Sequence, residues 1–234
     1  MTPSFKKVIV LLSSGLDSAV ALSMVLKTRK VAFALTFDYG QRAAAKEIER
    51  AKKLAQHFGV MHRTLVLPWF KEFKSSALLS EKTLPSPTQK NLSDLNESRK
   101  RAKAVWVPNR NGVFIEIAAG FADEDAISEI IVGFNKEEAA TFPDNSVEYL
   151  SAMTKALSYS TAKHVSVMSP TAFLNKIEIV KYAKNEVFPF ELIWSCYDNK
   201  EKMCGVCESC MRLKRALRAN EVDDGKMFEN DRFH

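Results

Sequence analysis

The sequence predicts an α/β fold, a five-stranded parallel sheet doubly wound by helices, with a small C-terminal zinc knuckle. Three observations lead there. Short β-branched and apolar runs recur along the chain, the segments between them carry apolar residues every three or four positions, and all four cysteines fall between Cys196 and Cys210. Continuous short apolar runs mark buried strands and a 3.6-residue period marks helices, so the alternation reads as strand, helix, strand.

In order, the runs are Lys7 to Leu12, Val31 to Phe37, His62 to Leu67, Glu129 to Phe134 and His164 to Met168. Each has the length of a strand. Val147, Leu150, Met153 and Leu157 lay one apolar stripe on a helix, and Ile177, Val180, Ala183 and Val187 lay another, each turned toward the sheet. Between Lys71 and Val107 the pattern gives way to a polar, charged stretch with Pro85-Ser86-Pro87 and Ser98-Arg99-Lys100-Arg101, which reads as a mobile flap. The expected division is a main domain over 1–193, carrying that insertion at about 71–107, and a metal-organised segment over 194–234.

With 234 residues, 46% of them hydrophobic, the chain can bury a sizeable core. No stretch reaches the roughly 18 apolar residues of a membrane span. The first apolar run is also too short for a secretory signal, so a cytoplasmic protein is expected. Lys and Arg number 34 against 28 Asp and Glu, a net charge of +6 without any long basic run. That balance suits an anionic small molecule, and nucleic acid is not expected as a partner.

The first run ends in Leu12-Ser13-Ser14-Gly15-Leu16-Asp17-Ser18, a small polar loop opening a helix. In an open α/β sheet this first turn is the usual phosphate cradle, yet the lysine of a Walker loop is absent. Backbone N–H groups at a helix N-terminus can wrap an anion, with Gly15 allowing close approach and the hydroxyls of Ser13, Ser14 and Ser18 adding donors. Asp17 would repel a bare phosphate. Its presence makes sense where Mg²⁺ rides on the phosphates, or where it simply caps the helix. The second run ends in Phe37-Asp38-Tyr39-Gly40-Gln41-Arg42, whose aromatics read either as core or as the wall of a base pocket.

Cys196, Cys204, Cys207 and Cys210 follow a C-x7-C-x2-C-x2-C spacing. Two residues between sulfurs let a tight turn aim both thiolates at one ion, and four thiolates close a tetrahedron with no position left for water. One structural Zn²⁺ per chain is therefore expected, with a four-thiolate iron–sulfur cluster as the alternative. The basic stretch from Met211 to Arg218 reads as a solvated helix face, or as charge that neutralises the thiolates.

Residues Ser13 to Ser18 resemble the Ser-Gly-Gly-x-Asp-Ser signature of the N-type ATP pyrophosphatases, the PP-loop superfamily with its adenine nucleotide alpha hydrolase-like fold. Ser14 stands where that signature has its first Gly, a replacement that is tolerable where the position needs no positive φ. The resemblance implies that the loop grips the pyrophosphate of ATP while AMP passes to an acceptor oxygen. Leu12, Ser13, Ser14, Gly15, Leu16, Asp17, Ser18 and Phe37 would then bind the nucleotide, with Asp17 and Ser18 closest to the chemistry.

A PP-loop near one end and the cysteine cluster near the other is similar to the 7-cyano-7-deazaguanine synthase family. Val107-Pro108-Asn109-Arg110-Asn111, Gly133-Phe134-Asn135, Phe142-Pro143-Asp144 and Trp194-Ser195-Cys196-Tyr197 extend the resemblance over nearly the whole chain. It implies ATP-dependent conversion of 7-carboxy-7-deazaguanine and ammonia to the nitrile preQ0, the precursor of queuosine and archaeosine, by a homodimer. Gln41, Arg42, Asn109, Arg110, Asn135 and Asp144 are the candidate contacts to the acid, Arg110 for a carboxylate or phosphate and Asn109, Asn135 and Asp144 for the guanine-like edge. For each of them a turn or cap role is the competing reading. Asn145 and Ser146 depart from the Cys-Arg that many members carry there. A tRNA-thiolating PP-loop enzyme and a non-catalytic ATP-binding module are the rival functions.

Overall fold

Val8, Ile9 and Val10 are all fully buried, so the strand that carries them, β1 (Lys7–Leu11), must be covered on both faces. The computed structural model, which describes residues 5–88, 91–92 and 94–230, shows how. The remaining strands are β2 (Lys30–Asp38), β3 (His62–Val66), β4 (Glu129–Ile131) and β5 (Ser166–Met168), in the parallel order β3-β2-β1-β4-β5. The helices are α1 (Leu16–Leu26), α2 (Ala44–His57), α3 (Leu95–Val105), α4 (Arg110–Glu124), the single turn α5 (Lys136–Ala139), α6 (Val147–Ser160), α7 (Lys176–Asn185) and α8 (Glu208–Ala219).

Strand alternation sorts these helices into two layers. Val8 and Val10 pack into one apolar cluster with Ala51, Leu54, Val180 and Leu217, from α2, α7 and α8. Ile9 faces the other way, into a cluster with Ile115 and Ala119 of α4 and Leu150 and Leu157 of α6. The chain runs outward from β1 to β2 and β3, then returns to lay β4 on the other side of β1. Strand order therefore reverses at β1, and the crevice beyond the carboxyl ends of β1 and β4 is where such a sheet binds ligands.

Several expected elements shift. The fourth run is regular strand only to Ile131, although the Val132 N–H still donates to Met168 O at 3.0 Å; Gly133 then abuts the start of α1, where a Cβ would lie 2.4 Å from the Ser18 backbone. His164 has φ of 50° and Val165 precedes the strand, so β5 begins at Ser166. Helix α7 stops at Asn185, and Val187, with φ of 52° and 92% exposure, falls outside the stripe; Ile179 completes it instead. Val147 is likewise exposed at the start of α6.

The polar stretch between Lys71 and Val107 is a packed cover where a mobile flap was expected. It contains α3 and buries Ala77, Leu78, Leu92 and Val105. The Ala77 N–H donates to Ala104 O at 2.8 Å, and Arg101 Nε donates to Glu208 Oε2 at 3.0 Å, tying the cover to α8. Residues 89, 90 and 93 of this stretch lie outside the described residues. In the C-terminal segment, Cys196, Met203, Cys207 and Cys210 share the apolar cluster of Val8 and Val10. Two arginines of α8 pair with carboxylates: Arg212 with Glu208 at 2.6 Å and with Glu137, and Arg215 with Glu137 at 2.6 Å.

Candidate active site

A cavity of about 260 Å³ opens at the carboxyl ends of β1, β2 and β4, where the change of strand order places it. One end is the loop after β1. There the Ser13 N–H donates to Ser18 Oγ at 3.2 Å, and Ser18 Oγ also reaches Gly15 O at 3.2 Å and Ser13 Oγ at 3.1 Å. Both hydroxyls thus stitch the loop into shape while facing the cavity, together with Leu12, Gly15 and Leu16.

Ser14 is different. It has φ of 62°, so the glycine conformation that the resemblance would have dispensed with is required after all. Its carbonyl accepts the Trp194 N–H at 2.9 Å, and its side chain is buried away from the cavity with Oγ lacking a hydrogen-bond partner. The hydroxyl expected to serve as a ligand donor is therefore not offered to the cavity.

Asp17 does not cap α1. The N-cap is Gly15, which has no side chain to offer. Asp17 Oδ2 instead accepts from Lys176 Nζ at 2.5 Å, and the same ammonium reaches Glu138 at 2.8 Å. Burial pushes the Asp17 carboxyl up to about 6, against the pull of Lys176. Desolvation works against the Lys176 ammonium as well, but Asp17 and Glu138 hold it above the usual lysine range. Asp17 Oδ1 is buried without a hydrogen-bond partner, an acceptor that a hard cation fits.

The middle of the cavity is aromatic. Phe37 stacks on Phe114 with centroids 4.2 Å apart and planes 13° apart, and Tyr39 lies edge-on to Phe70 at 5.6 Å. A second polar group lines the same cavity. Gln41 Nε2 donates to Phe37 O at 3.1 Å and to Glu47 Oε2 at 2.8 Å, and Gln41 Oε1 accepts the Tyr39 N–H at 3.0 Å. Arg110 makes only long contacts, to Tyr39 Oη at 3.4 Å and Asn111 Oδ1 at 3.3 Å. Asn111 Nδ2 donates to Asp144 Oδ2 at 2.8 Å. Burial raises the Asp144 carboxyl against the pull of Arg110.

Of the acid contacts expected from sequence, Gln41, Arg110 and Asp144 border the cavity and three others do not. Arg42 turns outward, its Nε donating to Ser80 O at 2.9 Å and its Nη2 to Lys82 O at 2.8 Å. Asn109 is an exposed left-handed residue, φ 51°, at the turn into α4. Asn135 is fully buried and caps α5, its Oδ1 accepting the Glu138 N–H at 2.9 Å. In their place the cavity holds Lys176, Glu138, Glu47 and Asn111. The one available hint was Asn111 itself, two residues beyond Asn109 in the same Asn-Arg-Asn run.

The four cysteine sulfurs lie within 4.8 Å of one another, and Cys204 and Cys210 are 3.9 Å apart. Cys196 Sγ accepts the N–H groups of Asp198 and Cys204 at 3.4 and 3.3 Å, the arrangement that stabilises a thiolate. This donor set can hold a metal ion. Cys196 and Tyr197 also border the cavity, and the Trp194 N–H holds the Ser14 carbonyl, so the cluster is anchored against the loop.

A parallel sheet reversing at β1, with this loop at the reversal and an aromatic cavity behind it, defines a PP-loop nucleotide fold. The solved structure of a 4-thiouridine synthetase in complex with RNA and bound ATP shares it, with a TM-score of 0.51 at 18% identity over 92% of this chain and 52% of that one. The chain belongs to the family described as queuosine biosynthesis protein QueC, whose model matches residues 7–221. Among relatives named 7-cyano-7-deazaguanine synthase, that of Pelotomaculum thermopropionicum is 53% identical over 90% of this chain and 96% of its own length. That of Bdellovibrio bacteriovorus is 48% identical over 96% and 98%, and that of Methanosarcina mazei 45% identical over 93% and 96%.

Proposed function

We propose that the chain converts 7-carboxy-7-deazaguanine, ammonia and ATP to 7-cyano-7-deazaguanine. It is an ATP-dependent enzyme that forms a carbon–nitrogen bond, as its family and the names of its relatives imply. What supports the chemistry is the loop after β1 opening α1 at the cavity, with Lys176 from the first turn of α7 paired to its Asp17. A carboxylate oxygen is a poor leaving group. Attack on the α-phosphate releases pyrophosphate and gives an acyl adenylate, and ammonia then displaces AMP to leave the amide. A second ATP adenylates the amide oxygen, and loss of AMP and protons leaves the nitrile.

In this reading Ser13, Gly15 and Ser18 hold the departing pyrophosphate, while Asp17 Oδ1 is the ligand for the Mg²⁺ that accompanies ATP and offsets its charge. Adenine lies beside Phe37 and the end of β2. The cysteine site takes Zn²⁺: bonds of ~2.3 Å place tetrahedral sulfurs ~3.8 Å apart, and Cys204 and Cys210 already stand 3.9 Å apart. Four thiolates leave that ion closed, so it organises the chain and takes no part in the reaction. No helix among the described residues is long and apolar enough to cross a membrane. A homodimer, as the family resemblance implies, and a cytoplasmic location complete the proposal.

The test is incubation of purified protein with ATP, ammonium and 7-carboxy-7-deazaguanine, with mass spectrometry for the nitrile. Nitrile formed with release of AMP and pyrophosphate supports the reading, and intact acid and ATP overturn it. Elemental analysis showing zinc, with no visible-range absorbance, supports the closed site; a coloured protein favours a cluster and the thiolating rival.

A further inference from the structure

Resting on the proposed function, we infer that Glu47 is the residue that selects the substrate's base, its carboxylate accepting the two adjacent donors of a 2-aminopyrimidinone edge. Glu47 sits in the first turn of α2 and borders the cavity. Its one hydrogen bond is from Gln41 Nε2, at 2.8 Å to Oε2, and it has no ion-pair partner within 4.0 Å among the described residues. Gln41 is itself pinned by Phe37 O and the Tyr39 N–H, so the carboxylate is held in place while Oε1 stays unmatched.

Glu47 is half-buried, and its unmatched oxygen is an acceptor free to meet a ligand's donor. Burial pushes the Glu47 carboxyl up to about 7, with Gln41 and then Arg110 pulling it down. The acid substrate presents an N1–H and a 2-amino group side by side, two donors matched to the two oxygens of one carboxylate. Next to them stands a carbonyl oxygen, and Arg110, whose own contacts in the chain are long, is the donor beside Glu47. With that edge at Glu47, the carboxylate on the opposite side of the base points away from Glu47, toward the α-phosphate that it must meet. Adenine, with an acceptor where guanine has N1–H, is repelled by an ionised Glu47, which keeps ATP out of the acid's place.

The test compares 7-carboxy-7-deazaguanine with its analogue lacking the 2-amino group, in wild type, Glu47→Gln and Glu47→Asp, by calorimetric Kd and by the split between KM and kcat. In wild type the analogue should bind roughly 10²-fold more weakly, because a site built to meet donors is left with an unpaired acceptor. In Glu47→Gln the acid itself should bind weakly and the preference should collapse to within about threefold, with the Kd for ATP unchanged. Glu47→Asp, which keeps the charge on a shorter arm, should restore part of the preference. A preference undiminished in Glu47→Gln would overturn the assignment, as would a loss confined to ATP binding or to the KM for ammonium. Wild type that neither bound nor converted the acid would instead overturn the proposed function, and this assignment with it.

Discussion

The two ends of the cavity treat charge in opposite ways. At the loop after β1, Lys176 is closed on two carboxylates, Asp17 and Glu138, at 2.5 and 2.8 Å. At the far end Glu47 and Arg110 lack a direct ionic partner among the described residues, although both are half-buried. The first end already pairs its one ammonium with two carboxylates and keeps an excess of negative charge, which under the proposed function the cation accompanying ATP would meet. The second carries unmet hydrogen-bonding capacity that only the matching ligand meets, and this is what makes a site discriminate. Pre-organisation stabilises the first end, whereas specificity destabilises the second.

The contrast breaks most visibly at Lys176. Replacing Lys176 with Met leaves the buried Asp17 carboxylate facing the half-buried Glu138 without their shared cation, and the protein should lose about 3 kcal/mol in a denaturant melt. A loss under about 1 kcal/mol would show that the end is not closed through this ammonium. Asp17→Asn should act on turnover instead. Lys176 keeps Glu138, so the fold persists, but the anionic acceptor at Oδ1 is gone and kcat should fall roughly 10²–10³-fold with Tm moving only a few degrees. Fold and activity falling together would make Asp17 a structural residue.

How much of this was legible beforehand follows from the range of the interactions. The loop, the five strands and the cysteine cluster rest on spacings of fewer than about ten residues, and the sheet and converging sulfurs appear where those spacings put them. Lys176 finds Asp17 across 159 positions, and within its own helix it reads only as a first-turn residue before an apolar stripe. Glu47 reads as an acid complementing the positive end of α2. Asn109 and Asn111 differ by two places, yet a left-handed turn at the first sends it to solvent and the helical rotation of the second brings it onto Asp144. Which polar residue faces a cavity depends on such rotations, and composition does not record them. The polar stretch between Lys71 and Val107 misled for a related reason: Leu78, Val105 and Val107 join the cluster around Ile9, but the buried face of α3 is only Ser98, Ala102 and Val105, too sparse to read as an apolar stripe.

The destabilising half of the comparison is sharpened by pH. Glu47 has its folded-state carboxyl raised from an ordinary 4.5 to about 7, with Arg110 and Asp38 as its charged neighbours. Folding therefore favours the protonated form. The favourable contribution is complete below about pH 4.5, declines as pH rises through the interval to about 7, and is a penalty above it. Glu47→Gln removes the penalty, so without ligand the variant should exceed wild type in stability at pH 8 by about 1–2 kcal/mol after allowance for solvent contact. The gain should vanish near pH 5. A gain independent of pH would mean that packing, not the buried charge, separates the two proteins.

The smallest expected effect lies at the closed end, at its one flaw. Ser14 holds φ of 62° with its hydroxyl buried and unpartnered, and a left-handed non-glycine residue costs roughly 1–2 kcal/mol. Glycine relieves that strain and removes the stranded hydroxyl, but it returns freedom to the unfolded chain, worth about 0.5–1 kcal/mol against folding. The Trp194 N–H bond to the residue 14 carbonyl uses only backbone and survives the change. Ser14→Gly should therefore gain about 1 kcal/mol, a rise in Tm of roughly 2–4 °C for a chain of this size. A fall in Tm would show that the Ser14 side chain holds the loop against the Trp194 segment by contacts that outweigh the strain, and the closed end would then owe part of its rigidity to the serine itself.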